Sequence, residues 1–214
     1  MEGLYFNCFR KPASTSTILS YPIPPFTTIR GVLANCLGMG QFPKYDEYLL
    51  LQEEIKIGIQ KLDIKGITRE LSKFLKLKKT GSGFRRIFPS SPMFKEFLIN
   101  PRYKIYVLGN NEWIKNISEK IRNPERPLYL GQSDDLVDIT NVKTTKSEKM
   151  KSKEIYSVIE GVYENCEIVK VPYKFGSDGK SLQELTISIP MEYPLITDEK
   201  VRCYKLGDEC IALY

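Results

Sequence analysis

Apolar and polar positions divide the chain into segments of distinct period. Residues 3–10, GLYFNCFR, mix aromatic and apolar side chains over a short run, the pattern of a buried first strand. A Ser/Thr/Pro-rich loop follows and ends in Pro22-Ile23-Pro24-Pro25. Beyond it, Ile29, Val32, Leu33, Cys36 and Leu37 recur at helical spacing, with Thr27 or Thr28 as the cap and Gly38 and Gly40 as the stop. Ile55, Ile57 and Ile59 then alternate with Lys56, Gly58 and Gln60, which predicts a half-buried strand.

Between Leu62 and Asn100 the pattern turns irregular and basic. Ile67, Leu71, Phe74 and Leu75 predict a short helix, and KKTGSGFRRIFPSSP a mobile loop. Regular structure resumes with a strand from Tyr103 to Leu108. A helix from about Asn111 to Arg122 follows, with Ile114, Ile117 and Ile121 on one face and Pro124 closing it; RPLYLGQS returns as a strand. The order is β-α-β-(insert)-β-α-β, a ferredoxin-like arrangement with a basic insertion between its second and third strands. The Lys/Thr/Ser-rich stretch NVKTTKSEKMKSKE reads as a flexible connection. After it, EIYSVIEGVYENCEIVKVPY, LTISIP and KVRCYKL, with turn chemistry at Gly176-Ser177-Asp178-Gly179, predict a smaller antiparallel β subdomain. The expected division is residues 1–139, with the insertion at about 62–100, and residues 140–214.

Charge changes this picture more than composition does. The net charge is +6, but residues 61–110 carry twelve Lys/Arg against three acids, while residues 1–60 sum to 0, 111–139 to −2 and 140–214 to −1. A polyanion is the natural partner of such a segment, because each neutralised phosphate releases condensed counterions. The chain contains no histidine, which excludes His-based triads, His-ligated metals and an imidazole general base. Five cysteines without a CxxC pair fit reduced, buried thiols of a cytoplasmic protein. No apolar run approaches the ~18 residues of a membrane span, and the start MEGLYFNCFRKP lacks the layout of a secretory signal. No cofactor, metal or small-molecule substrate is expected. Asp134 and Asp135, adjacent on a predicted strand, point to opposite faces and do not share an ion.

Three segments, YPIPPFTTIRGVLANCLG (21–38), FKEFLINPRYKIYV (94–107) and RPLYLGQSDDLVDI (126–139), together resemble the Cas-five family of CRISPR-associated proteins, within the RAMP superfamily. Their order and spacing agree over roughly the first two-thirds of the chain. The resemblance implies an α+β fold: a ferredoxin-like, RRM-like domain with a β-hairpin thumb inserted in it. It also implies a noncatalytic subunit of a type I effector complex (Cascade) in antiviral defence. Such a subunit caps the 5′ handle of crRNA and contacts the backbone subunit and the large subunit, with target recognition delegated to the guide.

The residues carry their own reading. Thr27, Thr28 and Arg30 in the first turn of a helix can offer hydroxyls, free N–H groups and a guanidinium to a nucleotide; they read equally as an N-cap and a surface charge. Phe84, Arg85 and Arg86, beside Lys78, Lys79 and Lys95, supply an aromatic for a base and cations for phosphates. Gly131-Gln132-Ser133 places polar groups beside a glycine, as a ligand loop or as an ordinary turn. One branch of the family cleaves precursor RNA with a Tyr, Lys and His constellation. Tyr45 and Tyr48 could supply the tyrosine of a metal-independent endoribonuclease, but the histidine is missing.

Overall fold

The chain is seen in a computed structural model that describes residues 1–12, 16–40, 46–80 and 83–214, and of 75–80 and 84–91 the backbone alone. It mixes a few helices with mostly antiparallel sheets. The expected first strand is split in two, β1 (Glu2–Gly3) and β2 (Phe6–Asn7). Tyr5 between them sits at φ 63°, a left-handed conformation that breaks the ladder and sends the two pieces to different sheets. After β3 (Thr17–Ile18) comes α1 (Phe26–Cys36). Its cap is Pro25, with no side-chain cap, so neither Thr27 nor Thr28 holds that position. The Pro25 carbonyl instead accepts the Thr28 and Ile29 N–H groups at 2.9 and 3.1 Å. Gly38, at φ 71°, ends the helix as its sequence predicts.

A short helix absent from the sequence reading, α2 (Asp46–Glu54), leads into the predicted strand β4 (Lys56–Asp63). The segment that the local pattern reads as a short helix and a mobile loop is instead, among the described residues, a hairpin, as the family resemblance implies. It forms two long strands, β5 (Gly66–Thr80) and β6 (Gly83–Ile99), paired antiparallel from Gly66↔Ile99 to Thr80↔Gly83. Ile67 and Leu71 stand four apart, a spacing that a helix and a strand face share, and pairing with β6 decides between them; Phe74 falls on the opposite strand face. The tip, Gly81-Ser82, lies outside the described residues. At roughly 3.4 Å per residue, the 15 residues of β5 span about 50 Å. The base of β6 is also held by β2 and, in parallel, by β3.

β7 (Arg102–Leu108) and α3 (Asn111–Lys120) follow as predicted, the helix capped by the Asn110 side chain, which accepts from the Trp113 N–H. RPLYLGQS does not form the next strand. Gly131 stands at φ 120°, so the segment is a loop pinned by a single bridge, Tyr129↔Leu136, and the strand that joins the sheet is β8 (Val137–Asp138). The first sheet therefore runs β4-β7-β1-β8, antiparallel throughout.

The supposed connection at 141–154 is partly a strand, β9 (Glu148–Ile155). With β10 (Ile159–Glu160), β11 (Cys166–Phe175), β12 (Leu182–Pro190), β13 (Leu195–Leu206) and β14 (Glu209–Ile211) it builds two sheets, β10-β12-β11 and β14-β13-β9. The β11–β12 turn uses the predicted chemistry: Asp178 accepts from the Lys180 and Ser181 N–H groups and the Ser181 hydroxyl, which holds its carboxyl at about 2. One apolar core joins Phe26, Ile29 and Leu33 of α1, Ile57 and Ile59 of β4 and Tyr103 of β7 to Val158, Val171, Ile187 and Ile189. A smaller cluster packs Ile155, Ile159, Leu195 and Cys203.

The outer edge of β4 is closed by distant chain. Ile57 and Tyr214 exchange backbone hydrogen bonds at 2.7 and 3.0 Å, and the Val158 N–H donates to the Ile59 carbonyl. Gly58 makes this approach possible, since a Cβ there would lie 2.6 Å from Ile211 Cγ2 and 3.0 Å from the Ala212 carbonyl oxygen. Gly58→Ala should therefore lower stability by about 1–3 kcal/mol, read as a lower urea midpoint at unchanged m-value. An unaltered midpoint would mean that residues 211–213 yield without cost.

Candidate nucleic-acid interface

Backbone register gathers five of the candidate RNA contacts at the far end of the β5–β6 hairpin. Lys78 stands opposite Arg85, Lys79 opposite Phe84, and Leu77 opposite Arg86. Nearer the base, Arg69 and Glu96 are tied down. Arg69 forms a forked bond to Glu96, whose other oxygen accepts the Ser20 N–H at 3.2 Å. On one face of this half, Ile67, Leu71 and Phe94 are exposed, with Leu71 and Phe94 directly opposite one another.

Lys95 does not stand at the surface as a phosphate contact would. It is 5% exposed, donates to Gln132 Oε1 at 2.8 Å and lies 4.4 Å above the Phe97 ring. β6 alternation turns it inward, where it joins the hairpin base to the loop at 131–133. That loop is built around Asp135, whose carboxylate accepts the Cys8 and Gln132 N–H groups at 3.1 and 3.0 Å. Burial pushes the Asp135 carboxyl up, against the pull of those donors and of Lys95. A Cβ on Gly131 would lie 2.6 Å from this carboxylate, so glycine is required by packing as well as by its positive φ. Ser133 is exposed beside it.

The structure brings Thr28 and Gly131 together. Both line an open cavity of about 410 Å³ between α1 and the loop, with Gly31, Asn35, Arg126 and Tyr129. Thr28, Gly31 and Asn35 present one face of α1, and Gly31 leaves open space beside it. Arg126 was not legible as a site residue. Its guanidinium donates to the Gly38 and Met39 carbonyls that end α1, at 2.9 and 2.8 Å. Thr27 belongs to this turn through its carbonyl, which accepts the Tyr48 hydroxyl at 3.1 Å. Burial pushes the Tyr48 phenol well up, and its ring packs edge-on against Phe175. Tyr45 lies outside the described residues.

Arg30 departs furthest from expectation. It is fully buried, pointing away from the cavity into the core. Nη1 donates to the Tyr173 carbonyl at 2.6 Å and Nη2 to the Tyr214 carbonyl at 3.3 Å, while Nε finds no partner among the described residues. The guanidinium also lies 5.3 Å from the Tyr173 ring centre. Burial lowers its pKa, opposed by Tyr48, Tyr173 and Glu53. A side chain so enclosed cannot be offered to a nucleotide from this position. Phe26, Ile29 and Leu33 fix the rotation of α1, and that rotation carries Arg30 inward with them.

Known proteins share this architecture. One chain of a CRISPR RNA-guided surveillance complex superposes with a TM-score of 0.60 at 13% identity, over 91% of this chain and 90% of that one. A CRISPR protein from Archaeoglobus fulgidus gives 0.54 at 15% identity, over 98% and 95% of the two chains. A further Cas protein gives 0.51 at 15%, over 92% and 96%. At these identities the likeness is one of fold, and the fold is that of CRISPR-associated proteins. The chain belongs to the family described as CRISPR-associated protein (Cas_Cas5), which it matches over residues 4–174. No curated protein matches it in sequence.

Arg30→Ala should cost about 3 kcal/mol or more, since it strands two buried carbonyls that now bond a charged group at ~1.5–3 kcal/mol each. Arg30→Lys should recover part of that. Denaturant midpoints measure both. Full stability with lost RNA affinity would instead place the guanidinium against a nucleotide.

Proposed function

We propose that the chain is a noncatalytic, RNA-binding subunit of a type I CRISPR effector complex, capping the 5′ handle of the guide RNA. The observation that carries this reading is the placement of Lys78, Lys79, Phe84, Arg85 and Arg86 at the end of a long hairpin rooted beside a cleft. Cations and an aromatic on a projecting arm suit phosphates and an unstacked base. Thr28 and Gly131 line the cleft and Thr27, Gln132 and Ser133 adjoin them in sequence, so we assign these hydroxyls and backbone groups to the handle. Family membership and the likeness to a chain of an RNA-guided surveillance complex support the effector setting.

The strand order β4-β7-β1-β8, with α1 and α3 as its crossovers, supports a ferredoxin-like reading of residues 1–139, with residues 140–214 as the β-rich subdomain. The exposed row Ile67, Leu71 and Phe94 is the surface we assign to a neighbouring backbone or large subunit, because a contiguous apolar face gains most from being covered by protein. Catalysis of RNA cleavage is disfavoured by chemistry. The sequence lacks histidine, and Tyr48, although half-buried in the lining of the cleft, is raised in pKa and donates its hydroxyl to the Thr27 carbonyl.

Co-expression with neighbouring subunits should yield a guide RNA whose 5′ end is protected from exonuclease by this chain. A guide protected equally without it would end the capping assignment. For the isolated chain, Arg85→Ala with Arg86→Ala should weaken handle binding and reduce the slope of log K against log salt by roughly one to two units. Repeat RNA incubated with the pure chain and a chelator should stay intact. Cleaved product that disappears on Tyr45→Phe would assign the chain to the ribonuclease class.

A further inference from the structure

A second group of cations stands far from the hairpin in sequence, within a segment whose charges nearly cancel. β9 is an edge strand of its sheet, and its alternation puts Lys149 and Lys151 on one face. Register sets them directly opposite Tyr204 and Arg202 of β13. The other face is apolar: Met150 meets Cys203 and Cys210, with the Cys210 thiol 3.8 Å from the Met150 sulfur. The basic face opens onto a depression of about 310 Å³ lined by Lys149, Arg202 and Tyr204 together with Lys56, Tyr163 and Tyr214. Glu160 is the carboxylate of this lining. Lys153 continues the row beside the irregular stretch of β13 that carries Asp198 and Glu199.

None of Lys56, Lys149, Lys151 and Arg202 enters an ion pair among the described residues, although cations elsewhere find carboxylates, as in Lys104–Glu209, Lys170–Glu184 and Lys174–Glu53. Like charges directly opposite on paired strands destabilise a sheet, so the Lys151–Arg202 pair is a cost that folding alone does not explain. A bound polyanion removes it.

We propose that this face is a second nucleic-acid surface, taking a single strand whose phosphates lie along Lys149, Lys151 and Arg202 and whose base rests on Tyr204. Same-face residues of β9 recur roughly every 7 Å, a spacing suited to successive phosphates of an extended strand. Lys56 meets the backbone where it enters the depression. An aromatic ring between cations favours a base over an acidic peptide, which has no planar group to stack. The surface is independent of the hairpin, so it does not rest on the handle-capping assignment.

The test uses the full-length chain carrying Arg85→Ala and Arg86→Ala, with a labelled oligouridylate as probe. Adding Lys149→Ala, Lys151→Ala and Arg202→Ala should weaken binding at least tenfold and reduce the salt slope by roughly two units, at ~0.7 per phosphate neutralised on a single strand. Lys149→Arg with Lys151→Arg should retain affinity, and Tyr204→Ala should weaken binding while leaving the slope unchanged. Lys149, Lys151 and Arg202 are exposed, and far-UV circular dichroism checks that the variants fold. Equal affinity and slope with and without the three alanines would overturn the proposal. Competition by duplex DNA or polyglutamate as effective as by oligouridylate would overturn its single-strand assignment.

Discussion

The buried guanidinium of Arg30 is the contact on which the rest of the architecture hangs. It leaves helix α1 and bonds the carbonyls of Tyr173, on β11, and of Tyr214, beside β4, so it ties α1 to two parts of the chain that each lie more than 140 positions away. Around it, Phe26 packs edge-on against both tyrosine rings, at 5.9 and 5.7 Å. A charge held without a carboxylate partner survives in such a place because carbonyl dipoles and tyrosine faces replace part of its hydration. Removing the side chain leaves those acceptors dry. Its position also decides which face of α1 remains open, and that face, with Thr28, Gly31 and Asn35, is the wall of the cleft.

The strongly basic segment reads differently once its cations are placed. Of the twelve between residues 61 and 110, Lys61, Arg69, Arg102 and Lys104 are engaged with Glu167, Glu96, Asp63 and Glu209. Lys95 is buried on Gln132. These five serve the scaffold, and Lys65 and Lys73 are exposed on the way to the distal group. Summing charge over a segment overstates what a polyanion meets there. It understates the other end of the chain, where acidic loops cancel a row of lysines that share one strand face.

Elements with a clean local period were legible: β4 in Ile55, Ile57 and Ile59, α3 in its isoleucine stripe, and the turn at Gly176–Gly179. The family was legible too, from three short segments in order. What failed had a common physical cause. Tyr5 and Gly131 adopt positive φ, which no hydrophobic pattern announces, and each broke a strand that the pattern continued. Ile67 and Leu71 fit two periods at once, and only the partner strand chooses between them. Arg30 and Lys95 look like surface charges because the residues that enclose them come from elsewhere in the chain. Arg126 and Asn35 reached the cleft by tertiary packing alone.

The link between Lys95 and Gln132 joins the hairpin to the cleft. β6 is one continuous strand of 17 residues, carrying positions 84–86 at one end and the Lys95 and Glu96 anchors near the other. The Lys95–Gln132 bond ties the base of that strand directly to the loop around Gly131. That loop has little slack, since its carboxylate leaves no room even for a methyl group at Gly131. The root of the arm and the wall of the cleft therefore share one hydrogen-bonded junction, and a change at Lys95 touches both.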